Sequence, residues 1–201
     1  MFRSGLLVMI ITMISRVLGL VRAGIIAYYF GASAMTDAFF SAFKISNFFR
    51  QLLGEGALGS SFIPLYNERV EIEGEERSKE FIYSILNLLF VFSTIITILM
   101  IIFSQGIIDG IVSGFPAETK LLASRLLKIM SVYFIFISLS GMICAILNNF
   151  KQFAVPASTS IFFNLAIILA SMYFGKSYGI DALAYGVVIG GVLQFLVVLP
   201  A

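Results

Sequence analysis

The sequence has 201 residues, of which 60% are hydrophobic and 12% are charged, with a net charge of +2 and no histidine. Soluble domains carry about 45–50% apolar and about 25% charged residues, so this composition excludes a soluble domain and predicts an integral membrane protein. The small net charge argues against nucleic acid as a partner. The missing histidines remove the commonest general base and metal ligand. The single cysteine, Cys144, lies in an apolar segment, where a buried, inert thiol is expected.

Six hydrophobic segments are long enough to cross a bilayer, which requires about 20 mostly apolar residues. The first runs from about Gly5 to Phe30. It is predicted to be a retained membrane helix, because arginines follow its apolar start where a signal peptide has a small-residue cleavage site. The other five spans cover approximately residues 36–66, 81–103, 121–148, 153–174 and 181–201. Together they predict an all-α, polytopic membrane bundle of about six transmembrane helices.

The segments between the spans differ in polarity. Residues 31–35, GASAM, predict a tight turn, whereas residues 67–80, NERVEIEGEERSKE, are strongly hydrophilic and are predicted to be a loop in water. Residues 104–119, SQGIIDGIVSGFPAET, predict a short interfacial helix. The excess of lysine and arginine in the loops on one side predicts a cytoplasmic N-terminus. That side would carry Arg3, Arg69, Arg77, Lys79 and Lys151, and the other Lys120 and Lys176.

Polar residues on the first two predicted helices fall on single faces. At 100° per residue, each set occupies an arc of about 120°. The helix-one stripe consists of Thr12, Ser15, Arg16, Gly19 and Arg22. The helix-two stripe consists of Asp37, Ser41, Lys44, Asn47, Gln51 and Glu55, with Arg50 and Gly54 at its edge.

Charged residues in the two stripes need a compensating environment. Each costs at least about 2.5–3.5 kcal/mol at the centre of a membrane helix, so such residues usually face water or a partner. Arg22 with Asp37 and Arg50 with Glu55 are possible internal ion pairs, and Lys44 can reach toward an interface. The arginines nevertheless outnumber the carboxylates, which favours a hydrated cationic cavity for an anionic ligand. Arginine suits phosphate because its planar group donates two parallel hydrogen bonds.

Small and polar residues elsewhere predict contacts between helices. Three glycines at the end of the second span indicate either a hinge or close packing, namely Gly54, Gly56 and Gly59. Small residues repeat every four positions in the sixth span and predict packing inside the bundle, namely Ala182, Gly186 and Gly190. Pro156 marks the entry of the fifth span. Four asparagines are candidates for hydrogen bonds between helices, namely Asn87, Asn148, Asn149 and Asn164.

Residues 15–68, which contain both stripes, resemble the opening of the MurJ/MviN family of lipid II flippases, in the MOP exporter superfamily. The resemblance is carried by SRVLGLVR, TDAFFSAFKISN, FFRQLLGEGA and FIP. It implies fourteen membrane helices in two lobes around a V-shaped cavity that works by alternating access. This chain would be the N-terminal lobe only.

The resemblance also places specific residues near the substrate. It implies that Arg16, Arg22 and Arg50 lie in or near the cavity, with Asp37 close by. The stripes add Ser15, Asn47 and Glu55 as candidate substrate contacts. The chain departs from the family in two places. Ala23 replaces the usual acidic residue after the second arginine, which removes a carboxylate for pairing or coupling, and Ser46 stands where proline is common.

The resulting hypothesis is a transporter and not an enzyme. Lipid II, or a related polyprenyl-diphosphate-linked saccharide, would cross the bacterial cytoplasmic membrane with its head group in the cavity and its tail among membrane lipids. No cofactor or metal is expected, although the family implies coupling to an ion or to the membrane potential. Two alternatives remain. One is another exporter of the superfamily, for oligosaccharide-lipids or drugs, and the other is a membrane enzyme acting on prenyl diphosphates.

Overall fold

The computed structural model describes residues 2–51 and 58–200, and the regular secondary structure in these ranges is helical. The predicted all-α fold is therefore confirmed. In chain order the helices of this part are α1 Phe2–Phe30, α2 Ala34–Arg50, α3 Leu58–Glu73, α4 Glu75–Ile102, α5 Ser104–Ile111, α6 Ala117–Ser131, α7 Tyr133–Asn149, α8 Ala154–Tyr178 and α9 Asp181–Val198.

Four of the described helices are long and apolar enough to cross a bilayer, and they correspond to predicted spans one, three, five and six. They contain Gly5–Phe30, Glu76–Ile102, Ala154–Tyr178 and Asp181–Val198. Helices α6 and α7 together cover predicted span four and form a fifth, broken candidate, bent by 43° at Val132. The described residues thus contain four such helices, or five with the bent pair. This number fits a multi-pass membrane protein.

Predicted span two is described only in part. Its described residues lie in α2, Ala34–Arg50, and in α3, Leu58–Glu73. The connection between them, including Gly54 and Gly56, lies outside the described residues. A continuous crossing over 36–66 therefore stays a prediction, as do the hinge and packing roles of these glycines.

The hydrophilic segment 67–80 is helical except at Gly74, so its interpretation as a loop is wrong. Helix α3 extends to Glu73 and α4 begins at Glu75, while Gly74 has a φ of 82° that only glycine adopts readily. Glutamate, arginine and lysine are good helix formers, and ion pairs along the helix add support. Arg69 Nε lies 3.6 Å from Glu73, and Lys79 Nζ lies 2.7 Å from Glu76.

The predicted tight turn between the first two helices is confirmed. Gly31 has a φ of 63°, and Ser33 caps α2 by accepting a hydrogen bond from the backbone N–H of Thr36 at 3.4 Å. The Thr36 hydroxyl also donates to the Gly31 carbonyl at 2.9 Å. This turn joins α1 directly to α2, so it fixes where the helix-two stripe begins.

Helices α2, α6 and α9 supply much of the main core, with Phe39, Leu126, Leu127, Leu183 and Val187 among its buried residues. The small residues of α9 pack inside the bundle, as predicted. A Cβ atom added at Gly186 would lie 2.9 Å from the Cβ of Ala170, and one at Gly190 would lie 2.7 Å from Cδ2 of Phe163. Pro156 lies in the first turn of α8, as expected for a helix entry.

Helix α1 lies at the edge of the described bundle. It packs chiefly against α8, and its most apolar window contains no buried residue. Helix α2, in contrast, packs against α6 and α7. The two striped helices are therefore held by different partners within the same lobe.

Candidate functional site

The helix-one stripe is divided between a packed face and an open face. Ser15, Gly19 and Arg22 are half-buried, whereas Thr12 and Arg16 are exposed. The packed residues lie toward α8. The predicted single polar face is thus only partly open within this lobe.

Asn164 of α8 holds the packed side of the stripe. Its Nδ2 donates a hydrogen bond to the carbonyl oxygen of Ser15 at 3.1 Å, although its side chain is buried. A Cβ atom added at Gly19 would lie 3.9 Å from the same nitrogen. The prediction that Asn164 bonds between helices is therefore confirmed. Asn149 also bonds across helices, since its Nδ2 donates to Oδ1 of Asn67 at 2.9 Å.

Arg22 lies over an aromatic ring. Its Cζ is 5.8 Å from the centroid of Phe163, a distance at which a cation is attracted to the face of the ring. Phe163 is buried and lies 5.5 Å from the Tyr133 ring and 6.2 Å from the Phe43 ring, between centroids. Arg22 is thus supported at the junction of α1 with α8, and Phe43 links this junction to α2.

No described carboxylate lies within ion-pairing distance of Arg22, and no described cation lies within that distance of Asp37. The alternative in which these two residues pair with each other is therefore wrong for the described structure. Asp37 is exposed in the first turn of α2, where the positive end of the helix dipole favours a carboxylate.

Arg16 is the open cation of the first helix. Its side chain is exposed on the flank of α1 that α8 leaves uncovered, and it too has no described carboxylate within ion-pairing distance. Arg16 is therefore accessible to a ligand from the open flank of α1.

The helix-two stripe points away from the core. Beyond its first turn, the buried residues of α2 are centred about 160° around the helix from the stripe. They are Ala38, Phe39, Ala42, Ile45 and Ser46. Asp37, Lys44 and Gln51 are exposed, and Asn47 is half-buried. The helix-two stripe therefore forms an open polar face, as the sequence predicts.

A cavity of about 730 Å³ opens between α2 and α5 beside this stripe. Ser41 and Lys44 supply its polar groups, while Ile45, Ile107 and Ile111 are among its apolar lining residues. Lys44 has no described carboxylate within ion-pairing distance. Among its described lining residues most are apolar, and Lys44 is the one cation.

Two predicted site residues cannot be placed fully. Arg50 is the last residue of α2, and its side chain lies outside the described part of the chain. Glu55 lies outside the described residues altogether. The proposed Arg50–Glu55 pair therefore stays a prediction.

Two cations outside the stripes are paired with carboxylates of other helices. Nη2 of Arg125 lies 2.8 Å from each carboxylate oxygen of Asp181, joining α6 to α9. Lys120 Nζ lies 3.7 Å from Asp109, joining α6 to α5. Arg16, Arg22 and Lys44 differ from these residues because no described carboxylate neutralises them.

Sequence reasoning missed the part that α8 takes in the site. Asn164 was a candidate for a helix contact without a known partner, and Phe163 carried no signal among the 21 phenylalanines. Their role depends on which helix packs against α1. The residue pattern of one helix does not predict its neighbouring helix.

These features define a multi-pass, α-helical membrane protein whose first two helices carry cations without a described carboxylate partner. Residues 26–201 match the family model described as "Lipid II flippase MurJ". The chain therefore belongs to the MurJ family, which confirms the resemblance seen in the sequence.

Individual relatives agree with this assignment. The chain is 42% identical over 197 residues to a "Probable lipid II flippase MurJ" of Buchnera aphidicola subsp. Acyrthosiphon pisum, covering 96% of this chain and 39% of the relative. It is 35% identical to the "Lipid II flippase MurJ" of Burkholderia cenocepacia, covering 100% of this chain and 40% of the relative. The chain thus spans about two fifths of the length of these relatives.

A solved structure has the same fold. It is described as "Lipid II flippase MurJ, inward closed conformation" and aligns with a TM-score of 0.85 at 36% identity. The alignment covers 97% of this chain and 41% of the solved chain. The helical arrangement described above is therefore that of a MurJ lobe.

Proposed function

We propose that this chain is the N-terminal lobe of a transporter that moves lipid II across the bacterial cytoplasmic membrane by alternating access. We infer lipid II as the substrate because the relatives are named lipid II flippases. Within the chain, the observation that carries the proposal is Arg16, which is exposed on a mostly apolar helix and has no described carboxylate within ion-pairing distance. A charge in that position costs at least about 2.5–3.5 kcal/mol unless water or a ligand compensates it. A hydrated cavity that admits an anionic head group provides this compensation.

The two stripes suit the chemistry of a diphosphate-linked saccharide. Arginine donates paired hydrogen bonds to phosphate oxygens, so Arg16, Arg22 and Arg50 hold the diphosphate. Asn47 and Gln51 contribute amide groups that can bind the saccharide. Asp37 lies in the first turn of α2, where the helix-two stripe begins. The polyprenyl tail stays in the bilayer. The lipid is moved without being changed, so the mechanism needs no nucleophile or general base in this lobe.

The opposite wall of the cavity belongs to a second lobe. Helix α1 has no buried residue in its most apolar window, and the polar face of α2 opens away from the core. Both observations support a partner surface facing these helices, as the two-lobe arrangement of the family implies. Relative motion of the lobes then exposes the head group on alternate sides. An ion or the membrane potential supplies the direction of transport.

A transport assay tests this proposal. The full-length transporter that carries this chain as its first lobe is reconstituted in liposomes with labelled lipid II, and the label accessible from outside is followed over time. Arg16→Ala should slow transport, whereas Arg77→Ala, which removes an exposed arginine of α4 outside both stripes, should not. Equal rates for Arg16→Ala and wild type would contradict the proposal.

The same assay separates the alternatives. Recovered lipid II should be chemically unchanged, since a hydrolysed or transferred head group would indicate a membrane enzyme. Unlabelled lipid II should compete with the labelled substrate, and cationic drugs should not. Competition by drugs alone would favour an exporter of a different specificity.

A further inference from the structure

We propose that Phe163 and Asn164 of α8 are positioning residues that hold the arginines of α1 in the orientation required for the substrate. This inference rests on the proposed function and concerns how its cations are oriented. Both residues are buried, and they are adjacent in the chain. One turn of α8 therefore contacts α1 at two separate points, namely Ser15 and Arg22.

The first point is the hydrogen bond from Asn164 to the Ser15 carbonyl, at 3.1 Å. A backbone carbonyl has two lone pairs, so it can accept this bond together with its bond inside the helix. Because the contact is to the backbone, it fixes the rotation of α1 about its axis. Arg16 follows Ser15 directly, about 100° around the helix. Fixing the Ser15 carbonyl therefore keeps Arg16 on the open flank.

The second point is the ring of Phe163 beneath Arg22. The ring has little freedom to move, because it packs against the rings of Tyr133 and Phe43. Its edge also fills the space that a side chain at position 190 would occupy, where the sequence has glycine. The guanidinium lies over the ring face with Cζ 5.8 Å from the centroid, and this attraction uses none of its N–H groups, which can then donate hydrogen bonds to a phosphate. A cation held in this way is ordered before the phosphate arrives, which lowers the ordering cost of binding.

The two points are seven residues apart on α1, about two helical turns. Arg16 lies between them. A slip of α1 against α8 would break both contacts and would turn Arg16 and Arg22 together. Since α8 packs against the glycines of α9, the orientation of both arginines is set by the packed part of the lobe.

Graded fluorination of Phe163 in the full-length transporter tests the proposal. Mono-, di- and trifluorophenylalanine change the volume of the ring little, but they progressively weaken its attraction for a cation. The measured quantity is the Kd for purified lipid II, beside the melting temperature. Phe62 is a matched control, because it is buried in an aromatic cluster elsewhere and no contact with a cation is described for it.

We expect the Kd to rise stepwise at position 163, to about threefold to tenfold for the trifluoro ring, with the melting temperature unchanged. The series should have no effect in an Arg22→Ala background. Fluorination at Phe62 should leave the Kd unchanged. Asn164→Leu, which keeps the number and branching of the side-chain heavy atoms and removes the donor, should raise the Kd by a similar factor in a folded protein.

Two results would overturn the proposal and are distinguishable. A flat Kd across the Phe163 series, with Arg22→Ala still weakening binding, would remove the positioning role and leave the transport function intact. Wild-type binding by folded Arg22→Ala would overturn the role of this arginine in the proposed function, and the positioning role with it.

Discussion

The guanidinium group of Arg22 is held by the ring of Phe163, at 5.8 Å from its centroid, and not by the carboxylate of Asp37. Arg22→Ala should therefore lose only a cation–π contact, about 0.5–2 kcal/mol of folding free energy, and should accumulate in the membrane. Adding Asp37→Ala should not restore stability, because no described ion pair joins the two residues. Membrane abundance and melting temperature of the single and double variants check this. Recovery in the double variant would indicate pairing.

The glycines of α9 should be intolerant of even a methyl group. Gly190→Ala places a Cβ atom 2.7 Å from Phe163, so it should destabilise the protein by about 1–3 kcal/mol through overpacking. Gly106→Ala on α5 is the control, because no atom lies within 4 Å of its added Cβ. Thermal unfolding of the two variants in the same detergent makes the comparison. Equal melting temperatures would mean that α8 and α9 are less closely packed than described.

The sequence predicts those features that depend on one helix at a time. The repeat of small residues in α9 indicates a packed face whatever lies against it, and the helix-two stripe indicates an open face. The family motifs can also be recognised from the sequence alone, because they lie in one continuous segment that covers the first two helices. These predictions needed no knowledge of neighbouring helices.

Features that depend on neighbours could not be predicted in the same way. A helical wheel places Ser15, Arg16 and Arg22 on one side of α1, but it does not show that α8 covers only part of that side. The bend at Val132 occurs where the sequence has neither proline nor glycine, the usual signals of a kink. Segment 67–80 looked like a loop because it is charged, although charged residues also favour exposed helices.

The ion pair between Arg125 and Asp181 should contribute little stability despite its short contacts. The Arg125 side chain is 60% exposed and that of Asp181 is 23% exposed, so solvent screens the interaction. Arg125→Asp should destabilise the protein by up to about 1 kcal/mol, and the swap with Asp181→Arg should recover most of the loss. The difference in unfolding free energy between Arg125→Asp and the wild type should be smaller in high salt. No recovery in the swapped variant would contradict the pairing.

The topology can be tested with introduced cysteines after Cys144→Ser. Asn67 bonds to Asn149, which places α3 at the end of the bundle where α7 stops and α8 begins. Helix α8 is about 37 Å long, so Lys176 near its other terminus lies on the opposite side. With a cytoplasmic N-terminus, Lys176→Cys should react with an impermeant reagent in intact cells. Glu73→Cys should react only after the cytoplasmic face is opened, and the reverse pattern would contradict this orientation.

The central claim is that arginines of the first two helices hold the diphosphate of lipid II. Replacing Arg16, Arg22 or Arg50 with alanine in the full-length transporter removes charge-assisted hydrogen bonds worth about 1.5–3 kcal/mol, which corresponds to about a tenfold to hundredfold rise in Kd. Lysine at these positions should restore binding only partly, because it keeps the charge and loses the planar pair of donors.

The most direct measurement is the Kd for purified lipid II of these variants beside Arg77→Ala, together with membrane abundance and melting temperature. The account predicts weakened binding at all three stripe arginines and wild-type binding for Arg77→Ala, with every protein folded. Wild-type affinity for folded alanine variants at Arg16, Arg22 and Arg50 would contradict it.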